Sequence, residues 1–377
     1  YVVAADDDVA FERVAAHDGD RFDAGHLSMT AVRTPGHTVN HLSYVLREDG
    51  GQPVAVFTGG SMLFGAVGRT DLVSEDRTGE LTRAQYRSVW RLADELGDDV
   101  TVNPTHGFGS FCSATKTTGD SSTIGNERRQ NVALTTEDED VFVTELLEGL
   151  SAHPSYYAHM SSLNAAGPHE PDLSLPAKAD AAELRRRIDA GEWVVDLRQR
   201  VAFACHHVTG TISVELGDPF ATYLGWTMPW GASLTLIGEN ADQVVDAQRQ
   251  LVRIGIDQLS GAATGEPDAL GQGDVSSYRV AGFKDLARVF DRDGVAVLDV
   301  RRTDEWDTGH LRDATHIPFW ELEGRMAEVP DGEVWVHCAS GFRASIAASL
   351  LARVGRRTVL IDADWDDAAD VGLPVTS

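Results

Sequence analysis

Short apolar runs alternate with longer segments of small or mixed residues along the carboxyl-terminal half of the chain. The runs at residues 194–197, 295–300, 334–337 and 358–361 predict strands, and the small-residue segment at 344–354 predicts a helix. Strands that alternate with helices are typical of a parallel sheet whose faces are covered by helices. We therefore predict α/β domains with parallel sheets in this half.

The segments between such runs indicate where domains end. Apolar strands are also predicted at residues 1–5 and 54–64, nearer the amino terminus. Segments rich in Gly, Ser, Pro and Asn at 160–176 and 261–273 are predicted to be linkers. At 377 residues and 42% hydrophobic composition, the chain is long enough for two to four domains. The predicted domains are residues 1–155, 175–265 and 278–377.

One sequence pattern occurs twice in the predicted α/β half. Asp196 and Asp299 correspond at a spacing of 103 residues, as do His207 and His310. A second block, residues 234–243, recurs 100 residues further along. Internal similarity at a fixed spacing indicates duplicated structural units. We therefore predict two copies of one fold.

The second copy carries a cysteine in a position suited to chemistry. Residues 334–345 read Val-Trp-Val-His-Cys-Ala-Ser-Gly-Phe-Arg-Ala-Ser, so Cys338 follows an apolar strand and Arg343 lies where a helix opens. Backbone N–H groups and the positive end of a helix dipole favour the thiolate, which is the reactive form of cysteine. Arg343 adds a fixed positive charge. The alternative interpretation is a buried, inert cysteine at a strand end.

The first copy lacks both of these groups. Gly238 stands in place of Cys338, and Gln243 stands in place of Arg343. The first copy is therefore predicted to keep the scaffold without the reaction. Cys205, which lies earlier in that copy, is interpreted as a packing residue.

The six-residue loop from Cys338 to Arg343 resembles the active loop of rhodanese (sulfurtransferase) domains, and residues 297–318 resemble the signature of that family. In that family a six-residue loop suits a sulfur atom, whereas the related dual-specificity phosphatases have one residue more. His337 is interpreted as a packing residue rather than a base. The resemblance implies a site in which Cys338 and Arg343 are catalytic, Asp299 and Arg301 give support, and the loop is completed by Ala339, Ser340, Gly341 and Phe342.

The reaction that this resemblance implies has two half-reactions and requires no cofactor. Cys338 takes the outer sulfur of a donor such as thiosulfate or a low-molecular-weight persulfide. The resulting persulfide passes that sulfur to a thiol or cyanide acceptor, and Arg343 binds charge on the donor. A sulfurtransferase is the leading prediction. The alternative is a non-enzymatic sulfur carrier or a redox-sensing protein with a degenerate metal domain.

Histidines near the ends of predicted strands mark the first 135 residues. His37 lies in a Pro-Gly turn, and His106 lies in a later strand-end loop. Neutral imidazole is a common metal ligand, and loops can converge on one point. A lone loop histidine is more often a polar surface residue. These segments, together with residues 108–134, resemble the later half of a metallo-β-lactamase fold of the glyoxalase II and persulfide dioxygenase branch.

This second resemblance implies part of an αββα sandwich and one divalent metal, iron(II) or zinc(II), in the full-length first domain. His37 and His106 match metal ligands of the family. In the persulfide dioxygenases, one iron(II) is held by two histidines and one carboxylate. The implied functions are persulfide oxidation or a hydrolase-like reaction.

Two departures from that family leave the expected metal site incomplete. The family's His-x-His-x-Asp-His motif is expected upstream of Tyr1, so we expect a longer protein. Gly60 stands where the family has a bridging aspartate. Asp71 and Ser61 are weak substitutes, and His41 is interpreted as a residue that packs or orients the turn.

Charge and cysteine content narrow the expected partners and location. The net charge is −27, from 59 acidic and 32 basic residues. Because an acidic surface repels nucleic acid and anionic membranes, neither is expected as a partner. No segment approaches the length of a membrane-spanning helix. Three cysteines in different predicted domains argue against a disulfide framework and favour the cytoplasm, and a homodimer is left open.

Overall fold

The computed structural model describes residues 1–49, 51–105, 111, 113, 120–167 and 169–376. The chain divides into two compact units. Unit 1 comprises Tyr1–His153 and Tyr157–Pro168, and unit 2 comprises Pro154–Tyr156 and His169–Ser377.

The described strands of unit 1 are β1 (Val2–Ala4), β2 (Val14–Ala16), β3 (Arg21–Ala24), β4 (Leu27–Arg33), β5 (Leu42–Glu48), β6 (Pro53–Gly59), β7 (Thr101–Pro104) and β8 (Ser122–Thr123). Strands β3 to β8 form one sheet in chain order, with only the β6–β7 pairing parallel. β1 and β2 pair separately and in parallel. In β5, Ser43 and Val45 are buried while Tyr44 and Leu46 are partly exposed. This alternation is typical of a sheet with one face on a core.

Helices of unit 1 supply the other side of that core. Val89 and Leu92 pack in one buried cluster with Val45, Val56 and Phe142. Removing these apolar side chains from water is the main stabilising contribution. The described helices are α1 (Thr78–Glu95), α2 (Ile124–Gln130), α3 (Val132–Thr135), α4 (Glu139–Glu148) and α5 (Tyr157–Ala166), with a 3₁₀ turn at Glu75–Arg77.

The strand predicted at residues 54–64 is shorter in the structure. β6 ends at Gly59, whose φ is +54°. The Ser61 N–H donates to the Thr58 carbonyl at 2.9 Å, and the Thr58 hydroxyl donates to the Met62 carbonyl at 2.6 Å. These bonds close a turn, so residues 61–64 leave the sheet.

The first half of unit 2 contains a four-stranded parallel sheet in the order β11-β9-β12-β13 and an antiparallel pair of β10 and β14. These strands are β9 (Trp193–Asp196), β10 (His207–Val208), β11 (Ile212–Ser213), β12 (Leu234–Gly238), β13 (Gly261–Thr264) and β14 (Val275–Ser276). The accompanying helices are α6 (Ala181–Asp189), α7 (Arg200–Cys205), α8 (Phe220–Thr227), α9 (Ala241–Val252) and α10 (Pro267–Gly271).

The second half of unit 2 contains a five-stranded parallel sheet in the order β15-β20-β19-β16-β18 and an antiparallel pair of β17 and β21. These strands are β15 (Arg279–Ala281), β16 (Val295–Asp299), β17 (His310–Leu311), β18 (Thr315–His316), β19 (Glu333–His337), β20 (Arg357–Ile361) and β21 (Val375–Thr376). The helices are α11 (Phe283–Ala287), α12 (Thr303–Thr308), α13 (Phe342–Arg353) and α14 (Asp367–Asp370), with a 3₁₀ turn at Met326–Glu328.

The strand register relates the two halves of unit 2 residue by residue. Ile237 lies opposite Asp196 in the first sheet, and His337 lies opposite Asp299 in the second. These pairs reproduce the sequence spacings of 100 and 103. Gly238 therefore occupies the position that corresponds to Cys338. The four strands predicted from apolar runs in this half are confirmed, each within one residue of the predicted ends.

The two predicted linkers are wrong in part. Residues up to Ala166 of the first belong to α5, and the second contains β13 and α10. Gly261, Ala262 and Ala263 are buried in β13. A Cβ on Gly261 would lie 3.0 Å from the Ala177 carbonyl oxygen, so the small residues allow close packing.

Candidate active site

Cys338 lies immediately after β19, at the carboxyl end of a strand in the middle of its sheet. It is a free cysteine and is 1% exposed. Three residues, Ala339, Ser340 and Gly341, separate it from α13. Carboxyl ends of parallel strands are the usual location of ligand sites in such sheets. The structure therefore places the predicted nucleophile where the topology favours binding.

Gly341 shapes the start of α13. Its φ of +90° lies in the left-handed region, which favours glycine. The Ser345 N–H donates to the Gly341 carbonyl at 2.8 Å and begins the helix. A Cβ on Gly341 would collide with Oδ1 of Asp362. The loop is therefore held in a conformation and a space that only glycine fits.

The two copies in unit 2 differ in the residue that precedes the helix after this loop. In the first copy, the Asn240 side chain accepts a hydrogen bond from the Gln243 N–H and caps α9. In the second copy, Gly341 has no side chain to cap α13. The first N–H groups of a helix have no partner within the helix, and they attract negative charge. An anionic sulfur therefore has available donors at α13, whereas Asn240 occupies the corresponding position at α9.

Arg343 forms a buried ion pair with Glu305 of α12. Its Nη1 and Nη2 lie 2.5 and 2.8 Å from the two carboxylate oxygens, and Arg343 is 7% exposed. Burial raises the pKa of Glu305, but hydrogen bonds and the charge of Arg343 outweigh that effect, so the pKa lies below its usual value. Burial lowers the pKa of Arg343, but the hydrogen bonds to Glu305 and the charge of Cys338 outweigh that effect. The pKa of Arg343 therefore lies above its usual value, and the side chain stays charged.

Sequence reasoning assigned Arg343 to the donor and gave Glu305 no role. The structure directs the guanidinium to Glu305, which compensates its charge. The available signal was an acidic residue within the same signature segment as Asp299 and Arg301. That signal does not identify the basic partner, because Arg343 lies 38 residues further along.

Asp299 and Arg301 form a second ion pair beneath the loop. Nη2 of Arg301 lies 2.7 Å from the Asp299 carboxylate and also donates to the Gly309 carbonyl at 2.7 Å. The guanidinium lies 3.8 Å from the ring of Trp365. The backbone N–H of Trp365 donates to the Ala339 carbonyl at 2.8 Å. The pair thus supports the loop through Trp365 and is not directed at the cysteine side chain.

His337 is fully buried next to this support. Its ring stacks on Trp365 at 5.2 Å and meets the edge of Phe283 at 5.4 Å. Burial lowers the pKa of His337, and the nearby Asp299 opposes that effect. The ring is therefore neutral and packed.

The first copy retains the support without the reactive groups. Asp196 and Arg198 form an ion pair like that of the second copy, with Nη2 2.7 Å from the carboxylate. Gln243 folds back on Glu239 at 2.7 Å. Cys205 is exposed at the end of α7, so its interpretation as a packing residue is wrong. The residues preceding it, Phe203 and Ala204, form the buried face of that helix.

Side chains of the first copy reach the active loop of the second, which sequence reasoning did not predict. Nε of Arg200 lies 2.7 Å from Asp362, and its Nη2 lies 3.5 Å from the Ser340 carbonyl. The ring of Tyr223 lies 5.4 Å from that of Phe342. No local sequence signal identifies these contacts, because the pairs are more than 100 residues apart.

The described part of unit 1 does not provide a metal ligand set. Nδ1 of His37 lies 2.8 Å from the Arg69 carbonyl oxygen. A side chain on Gly60 would collide with the His37 ring, so the expected aspartate position is filled. Arg69 binds both carboxylate oxygens of Asp71 at 2.7 and 2.6 Å. No cluster of three His, Cys, Asp or Glu occurs among the described residues, and His106 lies outside them.

His41 takes a structural role in the same turn. The Gly60 N–H donates to Nε2 at 3.2 Å, so Nδ1 carries the proton and donates to the Thr34 hydroxyl at 2.9 Å. Burial, and then the charge of His37, lower the pKa of His41 to about 4. The neutral ring orients the turn, in agreement with its predicted role. Ser61 is buried, and its hydroxyl has no hydrogen-bond partner within the described residues.

Comparison with known proteins assigns the carboxyl-terminal part of the chain. Residues 283–368 match the family model of the rhodanese-like domain, and this segment is a rhodanese-like domain. Over 115 residues the chain is 36% identical to an uncharacterized protein of Mycobacterium tuberculosis. That alignment covers 30% of this chain and 44% of that protein. It is also 26% identical to the human mitochondrial persulfide dioxygenase over 160 residues. That alignment covers 42% of this chain and 50% of that protein. The chain thus spans about half or less of the length of these relatives.

A solved structure supports the predicted fold class. The metallo-β-lactamase of Staphylococcus aureus is 25% identical, with a TM-score of 0.59, over 67% of this chain and 72% of that one. The predicted combination of a metallo-β-lactamase-like fold with rhodanese-like α/β structure and parallel sheets is confirmed. Among the described helices, none has both the length and the apolar character required to cross a membrane.

Proposed function

We propose that the rhodanese-like domain transfers sulfane sulfur through a persulfide on Cys338. The observation that carries the proposal is the position of Cys338 between a central strand and the uncapped amino terminus of α13. Helix N–H groups stabilise a thiolate and an anionic persulfide at such a position. Membership of residues 283–368 in the rhodanese-like family supports the same chemistry.

The reaction proceeds in two balanced half-reactions. The Cys338 thiolate attacks the outer sulfur of thiosulfate or a low-molecular-weight persulfide, and the donor leaves as sulfite or a thiolate with the electron pair of the broken S–S bond. A thiol or cyanide acceptor then attacks the outer sulfur of the enzyme persulfide. This step forms a new persulfide or thiocyanate and restores the Cys338 thiolate.

Substitution of each described cysteine tests the proposal. Cys338→Ser should lower thiosulfate:cyanide transfer at least about a hundredfold, because the covalent route is lost with its nucleophile. Cys205→Ser is the matched control, since that cysteine is free and exposed in the copy without the active loop. Persulfide on Cys338 should be detected by mass spectrometry in the control only. Full activity of Cys338→Ser would reject the assignment.

A sulfur carrier is the second candidate function. Cys338 is only 1% exposed, which restricts access by free donors. A Bacillus subtilis protein that is 34% identical over 65 residues, 17% of this chain and 35% of that protein, is named as a candidate sulfur carrier. A carrier would accept one sulfur per chain without multiple turnover. Counting thiocyanate formed per protein separates the two functions, because an enzyme forms many equivalents.

For unit 1, we infer that this chain alone does not bind iron or zinc at the His37 position. The proposal is supported by the Arg69–Asp71 pair and by the contact between Gly60 and the His37 ring. After equilibration with iron(II) or zinc(II) and gel filtration, metal analysis should give well below one metal per chain. A stoichiometry near one that is lost in His37→Ala would contradict this and would favour metal chemistry of the persulfide dioxygenase type.

A further inference from the structure

Tyr223 belongs to α8 of the copy without a reactive cysteine, yet its ring lies against the active loop of the other copy. The centroid of its ring is 5.4 Å from that of Phe342 and 5.3 Å from that of Phe319. Trp226 of the same helix stacks on Trp320 at 4.7 Å. Aromatic rings of the two copies therefore form a continuous cluster at the loop, which fixes the position of Tyr223.

The hydroxyl group of Tyr223 is not used by this packing. Within the described residues, no protein group is found in hydrogen-bond contact with it, although the side chain is partly buried. Burial raises the pKa of Tyr223, and the charges of Arg343, Cys338 and Glu305 are close enough to act on the hydroxyl. The group is therefore protonated at neutral pH and retains one hydrogen to donate.

The two arginine side chains around the loop already have acceptors. Both nitrogens at the tip of Arg343 bind Glu305. Arg200 binds Asp362 at 2.7 Å and Glu215 at 2.7 Å. These arginines are compensated by carboxylates, whereas the Tyr223 hydroxyl is an uncommitted donor beside the same loop.

We propose that the Tyr223 hydroxyl donates a hydrogen bond to the terminal sulfur of the Cys338 persulfide, so that the copy without a cysteine supplies a positioning residue. This inference rests on the proposed function. When Sγ attacks a thiosulfate or persulfide anion, an Sγ–S bond forms and the donor S–S bond breaks, with its electron pair leaving on sulfite or a thiolate. The transferred sulfur now carries the negative charge, which an O–H donor stabilises. Tyr223 keeps its proton.

Tyr223→Phe removes the hydroxyl and keeps the aromatic packing. We expect the pH midpoint for alkylation of the Cys338 persulfide to rise by about one unit, because the anionic sulfur loses a donor. The value of kcat/KM should fall about tenfold with both thiosulfate and glutathione persulfide, which is the rate equivalent of one unit. The thermal midpoint should stay that of the wild type.

Tyr278→Phe is the matched control. The Tyr278 hydroxyl has no hydrogen-bond partner in the described structure either, and it is buried, but its ring packs on Phe203 and His207. This variant should match the wild type in persulfide titration and kinetics. An equal shift in both variants would indicate a general effect of losing an unpaired tyrosine hydroxyl and would overturn the proposal.

Two further outcomes would overturn it. If Tyr223→Phe titrates like the wild type, the hydroxyl does not contact the persulfide. If the kinetic loss is confined to thiosulfate, the hydroxyl serves the donor's oxygens and not the transferred sulfur. Failure of the proposed function would differ from both, because the wild type itself would form no Cys338 persulfide with either donor.

Discussion

The ion pair of Arg343 and Glu305 ties the active loop to α12. Because the pair is buried, each charge depends on the other to offset its lost hydration. The Arg301–Asp299 pair acts differently, because it supports the loop through Trp365. At the scale of single residues, the candidate site thus separates the proposed nucleophile, Cys338, from the charges that hold its loop.

Glu305→Gln should destabilise unit 2 by about 3 kcal/mol, because Arg343 is left buried without its carboxylate. The pKa of Glu305 is lowered in the folded state, so the pair stabilises the protein above the carboxyl's ordinary pKa. This contribution is lost as the pH falls through the lowered value, and the variant should lose that part of the pH dependence. Urea unfolding at several pH values, followed by tryptophan fluorescence, measures both effects, since all tryptophans except Trp90 lie in unit 2.

Asp304→Asn provides the control for this prediction. Asp304 pairs with Arg302 at 2.7 Å on the surface of the same helix, and such pairs contribute about 1 kcal/mol or less. A loss of stability as large as that of Glu305→Gln would show that the burial of the Arg343 pair is not the cause.

At the scale of elements, the two corresponding strand–loop–helix units differ in the length of the loop, by one residue. Three residues, 238–240, separate Ile237 from α9, whereas four residues, 338–341, separate His337 from α13. The longer loop ends in Gly341 and leaves the helix uncapped. The shorter loop ends in Asn240, which caps its helix. Loss of the cysteine in the first copy is thus accompanied by a loop that closes over the helix terminus.

Gly341→Ala tests the loop conformation. A Cβ at this position is strained by the φ of +90° and also collides with Asp362, so activity should fall and the free energy of unfolding should drop by more than about 1 kcal/mol. Gly355→Ala is the matched control, with a φ of +76° and open space around its Cβ. The control should lose only the backbone contribution, about 1 kcal/mol, and keep its activity. Equal losses in unfolding and transfer assays would contradict the role given to this loop.

At the scale of the whole molecule, acidic residues dominate the surface. The net charge of −27 repels anionic donors, and the two arginines at the active loop are paired with carboxylates. Approach of thiosulfate is therefore opposed by the long-range field and is not assisted by an uncompensated charge on either arginine.

Modest addition of salt should therefore increase kcat/KM for thiosulfate. The screening length is about 10 Å at 0.1 M ionic strength, so repulsion from distant carboxylates falls while the buried ion pairs persist. Steady-state rates measured from low ionic strength to 0.2 M sodium chloride test this prediction. Between 0.05 M and 0.2 M alone, the screening length falls about twofold. A flat or falling rate would show that the overall charge does not limit donor encounter.

The predicted strands, the duplication and the location of Cys338 could be obtained from sequence because they depend on local patterning and fixed spacing. The predictions were wrong where the local sequence of a segment did not indicate whether it is buried or exposed in the fold. The Gly-Ala run at 261–263 resembled a linker, but close packing uses its small residues as a buried strand. Cys205 was predicted to be a packing residue because it lies in the signature segment and outside the loop, yet it is exposed at the end of α7.

The sequence by itself determined a repeated α/β pattern and one cysteine placed between an apolar strand and a helix start, because these features are encoded in neighbouring residues. Tertiary structure decided which distant groups surround that cysteine. The Arg200–Asp362 contact spans 162 positions, and Tyr223 meets Phe342 only because the two copies pack together. Such contacts depend on how folded surfaces fit, which no local pattern of residues specifies.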